Sequence, residues 1–202
     1  MGVQSSFGFT LGRMEKGRLN KITDVPGVRV GHVTRHEGGI NTGVTAILPH
    51  TGDMFHDKCP AASHVINGFG KSIGLVQVNE LGTIETPLLL TNTLSVGTAA
   101  TALVKYMLER NEDIGRDTGT VNPMVFECND GHLNDIRGLH VTEQNALDAL
   151  ANAADDFEEG AVGAGSGMSC YSLKGGIGSA SRVFELYGNK YTVGALLLTN
   201  FG

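Results

Sequence analysis

Glycine is the residue that most constrains this chain: it fills 29 of 202 positions and crowds the stretch 160–178. Each ordered glycine costs more backbone entropy than any other residue. A fold keeps this many only where a Cβ has no room or a turn needs positive φ. Many of them lie beside β-branched or small residues, as in Gly27-Val28, Gly43-Val44-Thr45 and Gly175-Gly176-Ile177-Gly178. That pattern predicts tight turns and close backbone approach in a sheet-rich fold. Gly163-Ala164-Gly165-Ser166-Gly167 superficially suggests a dinucleotide fingerprint. Its glycines fall at every second position and the chain after it reads as strand, so we assign it to backbone packing.

Between the glycines, short apolar runs mark strands. Residues 22–32 (ITDVPGVRVGH) read as strand, Pro-Gly turn and strand, an early hairpin. Residues 42–48, 63–68, 87–92 and 124–127 are further strand candidates. Residues 180–186 and 191–198 read as a hairpin across Tyr187-Gly188-Asn189-Lys190. Ser95 is the expected N-cap of a helix reaching about Arg110, with Ala99, Ala102, Leu103, Tyr106 and Met107 on one face. Thr142 opens a second helix with Leu147 and Leu150 as its apolar stripe and an acidic end, residues 155–159, left in water. Strands and helices mixed without repeats or linkers give one α/β (α+β) layered domain portion over residues 1–202. The last apolar run, residues 193–198, delivers Asn200 to a strand tip with no following element. The expectation is one part of a larger polypeptide whose remainder completes the fold.

Charge and cysteine usage narrow the function. A formal charge of -6 without clustered Lys and Arg disfavours nucleic acid or an anionic membrane as partner, and is compatible with a cationic ligand group. Cys59, Cys128 and Cys170 are odd in number and widely spaced, which indicates neither a disulfide framework nor a zinc knuckle and suits a reducing cytoplasm. Residues 1–6 lack a basic region followed by an apolar core, and no run approaches a membrane span. The seven histidines form no HxH or HExxH pattern, so neither metal nor cofactor is expected. Gly68-Phe69-Gly70-Lys71-Ser72 looks like the end of a phosphate loop, but Val65 stands where its first glycine belongs. Lys174 and Arg182 lie in a glycine-rich segment that could hold an anion, although loop geometry accounts for most of it. No Ser lies in a GxSxG elbow, and Cys128 and Cys170 have no base beside them in sequence.

Glu127 ends an apolar strand and opens the polar run Glu127-Cys128-Asn129-Asp130-Gly131-His132. A carboxylate at a strand tip can hold an ammonium group; it can equally cap its own loop beside Asn129 and Asp130. Asn200 has the same ambiguity, as a donor to an oxyanion or a turn cap.

Residues 22–32, 90–97, 127–135, 163–182 and 192–202 together resemble, in order, the L-aminopeptidase/D-esterase and β-peptidyl aminopeptidase family. The resemblance implies a serine hydrolase that cleaves its own precursor before a Ser, leaving an α and a β chain with that Ser as the β chain's N-terminus and nucleophile. It implies a four-layer αββα sandwich completed by the separate β chain, with this chain as the α subunit. Glu127 falls on the residue implied to hold the substrate's amino group and Asn200 on the implied oxyanion donor. Asn129 stands where some relatives carry an aromatic or apolar residue, two positions after the Glu, and so bears on the substrate pocket. The implied substrates are small peptides, amides or esters, and the implied assembly is an oligomer of αβ units. Two rivals stay open: an ornithine-acetyltransferase-like acyl transferase with a Thr nucleophile, and a non-enzymatic paralogue acting as a binding protein.

Overall fold

The computed structural model describes residues 12–202, so the segment 1–6, searched for targeting signals, lies outside the described residues. β1 (Arg29–Glu37) and β2 (Ile40–Leu48) form an antiparallel hairpin with Glu37 opposite Ile40. Gly38 and Gly39 between them have φ +50° and +90°, the positive values a two-residue hairpin turn needs. A small ribbon, β3 (Cys59–Pro60) with β4 (Thr83–Ile84), flanks the short helix α1 (Leu75–Leu81). β5 (Leu88–Asn92) pairs antiparallel with β2, and after the helix α2 (Val96–Leu108) the chain returns as β6 (Met124–Cys128), parallel to β5. The sheet order is β1-β2-β5-β6.

Both faces of this sheet are covered, which is why its strands read as continuous apolar runs. Val44, Ala46, Leu89 and Val125 face α2 and the helix α3 (Glu143–Ala151), meeting Ala99, Leu103, Ala146 and Leu150. The alternate residues Leu90, Ile47 and Phe126 face the other way. There they meet Ala164, Phe157 and the long hairpin of β9 (Gly176–Leu186) and β10 (Asn189–Thr199), which comes after the two-residue strands β7 (Ser169–Cys170) and β8 (Leu173–Lys174). The described layers are therefore helices, sheet, sheet, the α/β architecture expected from the sequence.

The glycine block threads between the two sheets. Residues 163–168 are all buried, and a Cβ on Gly167 would overlap the Asn41 carbonyl and come within 3.0 Å of Asp130 Cβ. Close backbone packing is its role.

Four local readings change. Residues 22–32 do not form a hairpin: Ile22–Asp24 is a 3-10 turn, because the Asp24 carboxylate accepts the Leu19 and Lys21 N–H groups and curls the chain before Pro26. Residues 63–68 contain no strand; they form a loop in which Val65 and Ile66 are exposed. The Ser95 hydroxyl makes no cap bond, since a 3-10 turn at Thr93–Ser95 precedes the helix and the Asn92 side chain accepts the Ser95 N–H instead. The acidic segment 155–159 does not stay wholly in water, because Phe157 is buried and Lys21 Nζ reaches Asp156 Oδ1 at 2.6 Å.

Candidate active site

β5 and β6 run parallel and end level, with Asn92 opposite Cys128. The carboxyl ends of adjacent parallel strands leave a crevice, the usual place for a ligand in an α/β sheet. Here the crevice is a cleft of about 710 Å³, in the range that takes small ligands. Its walls include Val65, Phe69, Thr93, Phe126, Glu127, Asn129, Asn200 and Phe201.

Glu127 is held from two sides. Its Oε1 accepts the Lys71 main-chain N–H at 2.9 Å and its Oε2 accepts the Thr93 hydroxyl. Lys71 Nζ is turned away, 2.6 Å from the Phe69 carbonyl and 3.8 Å above the Phe69 ring. The carboxylate thus has two neutral donors and, among the described residues, no ion pair. The glycine loop 68–72, read as a fragment of a phosphate site, turns its Lys71 N–H onto Glu127.

Asn129 comes two residues later, just past the end of β6. Its Oδ1 accepts the Gly131 N–H at 2.8 Å. Cys128 between them goes elsewhere, with Sγ 3.8 Å from the Leu198 carbonyl. Burial, reinforced by Glu127 and Cys170, pushes the Cys128 thiol up to about 11, far from a thiolate at neutral pH. Asn200 closes the group: its Nδ2 donates at 3.0 Å to the Asn129 carbonyl and at 3.0 Å to the Ser169 carbonyl. The structure therefore brings Glu127, Asn129 and Asn200 to one cleft.

Beneath the cleft lies a buried polar network that sequence reasoning missed. Asp130, 1% exposed, accepts the Thr42 hydroxyl at 2.6 Å and Asn134 Nδ2 at 3.0 Å, while Asn92 Nδ2 donates to Thr42 Oγ1 at 2.9 Å. Burial pushes the Asp130 carboxyl up. This network ties β2 and β5 to the loop that carries Asn129. Thr93 was missed too, because its link to Glu127 spans 34 residues and leaves no local pattern.

The anion slot suggested by Lys174 and Arg182 is filled from within: Lys174 Nζ donates to the Gly165 and Gly175 carbonyls, and Arg182 to Asn20 Oδ1 and the Ser181 carbonyl. Among the described residues there is no group of three His, Cys, Asp or Glu placed to hold a metal, and no helix long and apolar enough to cross a membrane.

The sequence profile of Peptidase family S58 matches residues 20–202. The β-peptidyl aminopeptidase BapA of Sphingosinicella microcystinivorans is 41% identical over 196 residues, covering 92% of this chain and 48% of its own length. The chain thus spans about half the length of the curated relatives it matches. The crystal structure of the PH0078 protein from Pyrococcus horikoshii OT3 superposes with a TM-score of 0.97 at 57% identity, over 100% of this chain and 60% of that one. The L-aminopeptidase D-Ala-esterase/amidase of Ochrobactrum anthropi, described as a variant of the Ntn-hydrolase fold, gives a TM-score of 0.87 at 38% identity, over 95% of this chain and 56% of that one. With a profile spanning residue 20 to the last residue and a fold shared at these identities, the chain belongs to peptidase family S58.

Proposed function

We propose that this chain is the α-subunit portion of a self-processed serine aminopeptidase that releases N-terminal residues from small peptides, amides or esters. One observation carries the reading: Glu127, in the wall of a ligand-sized cleft, is fixed by neutral donors and left without a cation among the described residues. A carboxylate so placed is built to receive an ammonium, the group that distinguishes an N-terminal residue. Kinship with BapA, a β-peptidyl aminopeptidase, supports the same activity.

In this reading the substrate ammonium binds Glu127 and its carbonyl lies toward Asn129 and Asn200. A Ser at the N-terminus of a partner β chain attacks that carbonyl, its hydroxyl proton passing to its own α-amine, and the leaving amine takes that proton as the acyl-enzyme forms. Water then hydrolyses the ester. Asn200 is the oxyanion donor that the resemblance implies; with both amide protons engaged, it donates only by exchanging one of its carbonyl bonds. The outer face of β10 supports the partner: Tyr191, Val193 and Leu197 are 46%, 58% and 54% exposed, an apolar face suited to a further layer of the αββα sandwich. We place the assembled αβ units, as a symmetric oligomer, in the cytoplasm.

The test is mass spectrometry of the full-length gene product, with hydrolysis of aminoacyl p-nitroanilides by wild type and Glu127→Ala. Two chains, the second beginning with Ser, and turnover lost in Glu127→Ala are expected. A stable single chain, or turnover indifferent to Glu127, would sink the proposal.

A further inference from the structure

A second pocket lies at the opposite end of the sheet from the Glu127 cleft. β5 leads from Pro87, in the wall of this pocket, to Thr93 in the cleft, so roughly 15–20 Å of strand separates the two. The pocket encloses about 310 Å³ beside the C-terminal end of α2, at the lower limit of cavities that take small ligands. Leu48, Met54, Pro87 and Met107 give it apolar walls.

Two of its polar side chains are already committed. His50 donates from Nε2 to the Asp57 carbonyl at 2.9 Å and accepts the Gly52 N–H on Nδ1 at 3.0 Å. Asp53 accepts the Phe55 N–H on Oδ1 and meets His56 through Oδ2. Two others are not committed. The Arg110 guanidinium stacks 3.5 Å above the Tyr106 ring, donates from one nitrogen to the Tyr106 carbonyl at 3.1 Å, and has no carboxylate partner among the described residues. A stacked guanidinium still offers donors along its edge, in the fork that matches a carboxylate.

The next residue, Asn111, supplies the opposite character. It is 4% exposed, and its Nδ2 donates to the Met107 carbonyl at 3.2 Å, which fixes which end of the amide is which. Its Oδ1 accepts nothing among the described residues, yet it is not sealed from solvent. An acceptor this deep calls for a donor from outside the chain.

We infer that this pocket binds a small free apolar α-amino acid. Arg110 takes its carboxylate, Asn111 Oδ1 accepts from its ammonium, and its side chain lies against Leu48, Met54 and Met107. Arg110 and Asn111 are consecutive in the chain, as the two charged groups of an α-amino acid are separated by a single carbon. The limited volume excludes longer peptides. Binding here requires nothing of the Glu127 cleft.

The experiment titrates the protein from the full-length gene, carrying ¹³C-methyl methionine, with L-leucine. The methyl signals of Met54 and Met107 are expected to shift saturably while that of Met168, in the glycine block, stays in place. Arg110→Gln removes the charge from an exposed side chain and is expected to weaken leucine roughly tenfold or more with the melting temperature unmoved. 4-Methylpentanoate, which lacks the ammonium, and 3-methylbutylamine, which lacks the carboxylate, are expected to bind at least as much more weakly. Glu127→Ala is expected to leave leucine binding at Met54 and Met107 unchanged. Unmoved Met54 and Met107 signals, full affinity in Arg110→Gln, or either truncated probe binding as tightly as leucine would overturn the assignment. So would loss of these shifts in Glu127→Ala, which would trace them to the cleft.

Discussion

Thr93 donates its hydroxyl proton to Glu127 Oε2 across the gap between the ends of two parallel strands. Together with the Lys71 N–H on Oε1, it orients the carboxylate without neutralising it. A lysine ammonium in the same place would have occupied the position a substrate ammonium needs. Lys71, whose main chain touches the carboxylate, instead directs its Nζ to the Phe69 carbonyl and ring.

Thr93→Val removes that donor at nearly constant volume. Hydrogen bonds to charged groups contribute about 1.5–3 kcal/mol, so KM for substrates with a free amino group is expected to rise roughly tenfold or more, with a smaller change in kcat. Thr93→Ser keeps the hydroxyl and is expected to stay near wild type. Steady-state kinetics of the two variants make the comparison; equal KM values for Val and Ser would remove Thr93 from the ammonium site.

The glycines make a sharper stability prediction than any apolar residue. At Gly167 a methyl group meets the Asn41 carbonyl and Asp130 Cβ, both backbone-fixed, whereas at Gly178 in β9 nothing lies within 4 Å. Gly167→Ala is expected to destabilise by about 2–4 kcal/mol, and Gly178→Ala to stay within about 0.5 kcal/mol of wild type. Urea unfolding of the two variants measures this directly.

How much of this was legible in the sequence depends on the range of the interactions. The strands at 42–48 and 87–92, the two long helices and the final hairpin were readable because their apolar periodicity is local. The block 163–167 was recognisable as packing because glycines at every second position suit no phosphate loop. The segment 22–24 misled because Ile-Thr beside a Pro-Gly pair suits a strand, while the deciding bonds come from the Asp24 side chain folding back on its own loop. Within the site, Glu127 and Asn200 stood out as polar groups at strand tips. Thr93 and Asp130 did not, since a threonine after a strand and an aspartate in a turn are unremarkable until the fold sets them against Glu127 and Thr42.

The outer face of β10 gives a test of the partner chain that does not depend on catalysis. Leu197 is exposed there, while its neighbours Leu196 and Leu198 pack into the core between the sheets. Leu197→Glu adds a charge that an isolated α chain tolerates but a buried interface does not. The variant is expected to fold and to lose its β chain on size-exclusion chromatography under conditions where wild type elutes as a complex. Co-elution as in wild type would place the β chain elsewhere.

Two histidines give the molecule opposing pH dependences. His32 is half-buried between Thr45 Oγ1 at 2.9 Å and the Glu158 carbonyl at 3.1 Å, and burial, with a smaller contribution from Lys21, holds its pKa below the ordinary 6.5 against the opposing pull of Glu158. The unfolded chain therefore binds its proton first as pH falls, so the stability His32 contributes is complete above pH 6.5 and is lost as pH drops toward the lowered folded value. His56 bridges Asp53 and Asp113 at the surface, and those two carboxylates raise its pKa. Its contribution is complete below pH 6.5 and is lost as pH rises through the raised folded value. Melting temperature measured against pH is thus expected to fall on both sides of about pH 6.5. His32→Gln should flatten the descent just below that pH and leave the one above it, and His56→Gln should do the reverse. If either variant alters both limbs equally, the two histidines do not act through the separate contacts described.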